Sequence, residues 1–148
     1  MEKSIGRLVS ILYRQSQVYI NKCMKEYNIT SAEHPFLLYL YKNEGISQDE
    51  LSAYLYINKS ATTRSIKSLE EKGYVIKKKD SLDKRINRIF LTSKARSHEE
   101  EIIRKTRCWS EFLAKDLDKE TVETMLTVLQ KMSDKVEQTN LKNELEGL

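Results

Sequence analysis

The stretch from Ile46 to Thr92 constrains the fold more than any other part of the chain. It reads ISQDELSAYL, YIN, KSATTRSIKSLEEKG and then YVIKKKDSLDKRINRIFLT. The pattern is a short helix, a tight turn, a second helix and a basic two-stranded hairpin. Ser47 stands three residues before Glu50, the spacing of a capping box that opens a helix. Leu51 and Leu55, four apart, give that helix its apolar stripe. Asn58 is a good N-cap for the second helix, and Gly73 suits its end. Helical spacing puts Ala61, Thr62, Ser65, Ile66 and Leu69 on one side and Ser60, Thr63, Arg64 and Lys67 on the other.

That second face is not an ordinary solvated one. A solvated face mixes both signs and long side chains, whereas here the first two exposed turns carry short hydroxyls and two cations. No acid follows until Glu70 and Glu71. Short side chains let a helix sit deep in a major groove, and arginine or lysine reaches guanine edges or phosphates. The hairpin points the same way. Lys77-Lys78-Lys79 climbs one strand, Asp80 to Asp83 turn, and Lys84-Arg85 then Arg88 begin the return. Six cations against two acids around the tip suit a hairpin lying along phosphates or in a minor groove. The fold expected is mainly α, a winged helix-turn-helix, and its chemistry is duplex DNA binding.

Residues 46–96 resemble the MarR (multiple antibiotic resistance regulator) family of bacterial transcription factors. The matching residues are Leu69-Glu70-Glu71-Lys72-Gly73-Tyr74-Val75, then Asp83-Lys84-Arg85 and the closing Leu91-Thr92. The D-x-R step in the wing is the most specific of these. Ala95 departs from the pattern, where the family often has glycine. The similarity is weaker but continuous over the flanking helices, so it covers nearly the whole chain.

The rest of the chain reads as helix. Ser4 to Tyr27 repeats Ile5, Leu8, Leu12, Tyr19 and Cys23 on one face, widened by Val9, Ile20 and Met24. A second helix lies between Thr30 and Asn43. Thr30 and Glu33 form a possible capping box, yet Pro35 would then fall past the first turn, so the helix either starts near His34 or is kinked. Thr92 can cap a long helix reaching about Leu117, and Asp118 a last one with Val122, Met125, Leu126, Leu129, Met132 and Val136 at helical spacing. The tail from Thr139 is expected to fray. The expectation is a single domain over 1–148, with the winged helix-turn-helix at about 30–92 and dimerisation helices at about 4–27 and 93–138.

These terminal helices carry more apolar length than one winged-helix core can cover, which marks an association surface. The resemblance implies an interlocked two-fold homodimer, and such a dimer calls for a pseudo-palindromic double-stranded operator. Gln48, Ser60, Thr63, Arg64, Lys67, Lys84, Arg85 and Arg88 are the candidate DNA contacts. Gln48 suits a backbone phosphate. The resemblance puts Arg85 in the minor groove, while Asp83, which phosphate would repel, orients Arg85 or Arg64. It also implies a repressor released by a small aromatic anion, for which Tyr13, His34, Tyr39 and Trp109 are the candidate pocket residues. Some relatives sense oxidants through a cysteine in the first helix. Cys23 sits near that helix's end, and both it and Cys108 read better as inert buried thiols.

Other function classes fit less well. The four glycines form no phosphate-cradling loop and neither histidine has a nucleophile or paired carboxylate nearby in sequence, so no enzyme and no cofactor are expected. Two histidines far apart and two distant cysteines give no metal-ligand spacing. The segment MEKSIGRLVS lacks the apolar core of a signal peptide, and no apolar run spans a membrane, so the cytoplasm is expected. A net charge of only +4 makes the local clustering of cations, not the overall field, the argument for DNA. The rival class is a winged-helix module that binds protein; it would carry acids or large apolar groups on the second helix, where this chain has hydroxyls and cations.

Overall fold

The computed structural model describes residues 3–139 and divides into two compact units, Met1–Trp109 and Ser110–Leu148. The first holds the core. Helix α1 (Ile5–Cys23) is capped by Ser4, whose hydroxyl accepts from the Arg7 amide, and passes into a single 3-10 turn at Lys25–Tyr27. Helix α2 spans His34–Leu40, with Pro35 in its first turn, where a missing N–H costs nothing. The helix therefore begins at His34 without a kink, and Thr30 and Glu33 bond each other in the turn before it. It is shorter than the sequence pattern suggests, since the chain turns after Tyr41 to reach Gly45.

Helix α3 (Gln48–Leu55) opens on the expected Ser47 cap, and α4 (Lys59–Glu71) on Asn58. The end of α4 shows why glycine stands at 73. Tyr74 N–H bonds the Leu69 carbonyl and Gly73 N–H the Glu70 carbonyl, a Schellman closure, with Gly73 at φ +82°. That reversal feeds strand β1 (Val75–Lys79), which pairs antiparallel with β2 (Asn87–Leu91) in the register Val75↔Leu91 to Lys79↔Asn87. The segment ahead of α3 lines the hairpin's other edge, through Gly45 N–H to Ile89 O and Ile89 N–H to Ile46 O.

The long helix expected from Thr92 is broken. Thr92 caps a short α5 (Ser93–Ser97), His98 leaves helical geometry at φ −104°, ψ 0°, and α6 (Glu99–Ala114) starts again. Two interactions, one local and one distant in sequence, hold the break. Ser97 Oγ donates back to Lys94 O, and the His98 ring packs 5.0 Å from that of Tyr27. Helix α7 (Lys119–Gln138) is capped by Asp118, as the sequence indicates.

The buried core joins Ile20 and Met24 of α1, Phe36, Leu37 and Leu40 of α2, Leu51 of α3, Ile66 and Leu69 of α4, Ile89 and Leu91 of β2, and Ile102 of α6. Tyr19 and Cys23 of α1 pack against it, partly buried, but the apolar residues nearer the start of the helix stay outside. Ile5, Leu8, Val9 and Leu12 are exposed, and within the second unit so are Leu126, Leu129 and Val136.

Candidate nucleic-acid interface

Helix α4 presents its two faces as its spacing predicts. Thr62, Ser65, Ile66 and Leu69 are buried, while Ser60, Thr63, Arg64 and Lys67 are exposed. Contacts from its buried side and its C-terminal end tie the helix to the segment before α2. Ser65 Oγ donates to the Ala32 carbonyl at 3.3 Å. At the other end Lys72 Nζ lies 2.7 and 3.0 Å from the two oxygens of Glu33, whose side chain is only 5% exposed. The sequence marks Glu33 only as a possible capping-box partner of Thr30, not as the partner of Lys72. Its signal was its place beside Thr30, which donates to the same carboxylate.

Gln48 is half-buried at the start of α3, and its Nε2 donates to Thr63 Oγ1 at 3.1 Å. The two helices are also bridged by the exposed Lys59–Asp49 pair at 3.8 Å. Gln48 also lines a cleft of about 300 Å³ with Ser47, Asp49, Glu50, Arg85, Ile86 and Asn87, between the start of α3 and the returning wing. A second cleft, about 250 Å³, lies between residues 30–33 and Arg64, Ser65 and Ser68 of α4.

The wing tip is built by its two acids. Asp80 Oδ2 accepts from the Leu82 and Asp83 amides, and its Oδ1 accepts from Arg88 Nε at 2.6 Å. Arg88 also donates to the Gly45 carbonyl, so it struts the hairpin against the segment before α3 while carrying charge. Asp83 takes Arg85 as a bidentate partner, Nε to Oδ1 and Nη2 to Oδ2, both 3.0 Å, and also accepts from the Arg85 amide. The Arg88 guanidinium holds the Asp80 carboxyl below the usual carboxylate range, with help from the two amides. Arg85 does the same for Asp83. The Arg85 side chain stays 90% exposed, and Lys84 is exposed beside it. Asp80 escaped the sequence reading as a structural acid. An aspartate two and three residues before the amides it caps is an Asx-turn signal that could have found it.

The candidate effector residues engage different partners. Tyr13 Oη accepts from Gln17, His34 Nε2 lies 2.8 Å from Thr106 Oγ1, Tyr39 packs tilted against Tyr54 with centroids 4.1 Å apart, and Trp109 stacks on Tyr19 at 5.3 Å. Burial pushes His34 down to about 4, so it is neutral. Thr106 donates to the Ile102 carbonyl, which leaves His34 Nε2–H as the donor between the two. Cys23 is half-buried against the Ile20 carbonyl, and burial pushes its thiol up, the opposite of what a reactive cysteine needs. Among the described residues no group of three or more His, Cys, Asp or Glu side chains could hold a metal, and no helix is long and apolar enough to cross a membrane.

Comparison with known proteins agrees with this geometry. The family model described as MarR family matches residues 27–86. A MarR transcriptional regulator from Methanosarcina mazei Go1 is 37% identical and superposes with a TM-score of 0.85, covering 88% of this chain and 94% of that one. A MarR family transcriptional regulator from Listeria monocytogenes, solved in complex with 26mer DNA, is 26% identical with a TM-score of 0.87, covering 92% and 91%. The HTH-type transcriptional regulator BilQ of Clostridioides difficile (strain CD3) is 30% identical over 92 residues, which span 62% of this chain and 62% of that relative's length.

Proposed function

The chain belongs to the MarR family, and from that premise we propose that it is a sequence-specific, double-stranded-DNA-binding transcriptional regulator acting as a homodimeric repressor. The observation that carries the reading is the pairing of two cationic elements in one unit. The exposed Ser60-Thr63-Arg64-Lys67 face of α4 suits a major groove, and the Asp83-braced Arg85 of the wing suits the neighbouring minor groove. Bidentate pairing to Asp83 fixes the direction of Arg85 and leaves its Nη1 and one Nη2 proton free for DNA acceptors. Lys84 and Arg88 add attraction to phosphate, and Gln48 lies where the start of α3 would meet the backbone.

The exposed apolar faces of α1 and, separately, of α7 supply what a second copy would cover. A two-fold dimer places two recognition helices on half-sites of a pseudo-palindrome. The cytoplasm is the compartment that such a regulator needs. Relief by a small aromatic anion rests on the family resemblance, and release of bound DNA by phenolic anions is its test. Selection from randomised duplexes tests the main reading. Recovery of a pseudo-palindromic motif, bound by two chains, supports it. Recovery of no motif would refute the sequence-specific reading, and a motif bound equally by Arg85→Ala would refute the wing assignment.

A further inference from the structure

The Thr63 hydroxyl has its proton and one of its two lone pairs already committed. Oγ1–H donates to the Lys59 carbonyl at 2.8 Å, and Oγ1 accepts from Gln48 Nε2 at 3.1 Å. The direction of the second bond follows from the first. A hydroxyl has one proton and two lone pairs, so once the proton lies on Lys59 only an N–H from Gln48 can bond the oxygen. What the exposed Thr63 side chain still offers a groove is its γ-methyl and one lone pair.

Those leftovers narrow what Thr63 can read. Donation to the acceptors of guanine, adenine N7 or thymine O4 would require breaking the Lys59 bond. In the major groove a methyl group has one complementary feature, the C5 methyl of thymine. Gln48 comes from the preceding helix, whose start is set by the Ser47 cap, so the clamp on Thr63 does not depend on α4 alone.

We propose that Thr63 specifies a thymine in each half-site through methyl–methyl contact, and that Gln48 is the positioning residue that keeps the Thr63 hydroxyl turned away from the bases. The inference rests on the DNA-binding reading above and adds the chemistry of one base contact to it.

The test uses the full-length protein and the duplex recovered from selection, with deoxyuridine replacing thymidine one position at a time. Deoxyuridine pairs identically and lacks only the methyl. At one position per half-site it should weaken binding about fourfold, and roughly fifteenfold when both half-sites are changed, the factor expected for burying one methyl-sized group at each. Thr63→Ser should lose the same factor on the thymine duplex and become indifferent to uracil there, whereas Thr63→Val should keep the thymine preference. Gln48→Ala should shrink the thymine-to-uracil ratio; a glutamine that held only a phosphate would lower both affinities and leave the ratio unchanged.

Specific binding with no uracil-sensitive position would overturn the inference and leave the regulator reading intact. So would an undiminished ratio in Thr63→Ser, or a preference lost in Thr63→Val. Failure to bind any duplex specifically would overturn both.

Discussion

Replacing Lys72 with methionine keeps a long, helix-favouring side chain and removes only its charge. The consequence should be large because of where that charge points. Lys72 Nζ sits 2.7 Å from Glu33, and the two side chains are 19% and 5% exposed. Glu33 lies in the turn before α2, and Lys72 ends the recognition helix, so the pair ties the two together. Without the cation, Glu33 keeps the Thr30 hydroxyl but is a buried carboxylate without a counter-charge. Removing one partner of a buried pair costs about 3–5 kcal/mol, and the partial exposure of Lys72 argues for the low end, about 3 kcal/mol. For a chain of this size each kcal/mol lowers the thermal midpoint by about 2–4 °C, so a drop of roughly 6–12 °C is expected. Thermal and urea unfolding, at matched protein concentration to hold any self-association fixed, would measure it. The double variant Glu33→Gln/Lys72→Met buries no charge and should recover at least half of the loss. A cost below about 1 kcal/mol for Lys72→Met, or no recovery in the double variant, would refute the reasoning.

Arg85→Ala should weaken operator binding and reduce the steepness of its salt dependence by about one ion per subunit, read from the slope of log affinity against log salt. An unchanged slope would remove Arg85 from the interface. His34, pushed down to about 4 by burial, starts from an ordinary 6.5, so the unfolded chain takes the proton first. Its contribution to stability is full above about pH 6.5 and is lost as the pH falls toward 4, about 3 kcal/mol over the window. His34→Gln can still donate to Thr106 and should flatten that part of the profile in urea titrations. Leu129→Glu, on the exposed apolar face of α7, should shift the sedimenting species from two chains to one while leaving helical circular dichroism in place; an unchanged species would remove that face from the dimer contact.

The parts of the fold written in local chemistry were legible in the sequence. Ser47, Asn58 and Asp118 cap the helices expected of them, Thr92 caps only the five residues of α5 rather than the long helix expected, and Gly73 ends α4 with the positive φ that its reversal requires. The division of α4 into buried and exposed faces followed from the 3.6-residue period. What was not legible depends on contacts distant in sequence. The break at His98 is held partly by Tyr27, 71 positions earlier. Glu33 and Lys72 are ordinary polar residues until the fold brings them together, as are Glu44 and the Leu91 amide it accepts from. Arg88 illustrates the mixed case. Its charge was apparent, but its bonds to Asp80 and Gly45 give it a structural duty that composition alone does not reveal.

The most direct test of the central claim is fluorescence-anisotropy binding of the full chain to its selected duplex against a scrambled duplex of equal length, at near-physiological salt. The account predicts an affinity roughly 10³-fold or more higher for the selected duplex, with two chains bound per site. Equal affinity for both duplexes, or no binding to either even at low salt, would contradict it and favour a winged-helix module that binds protein.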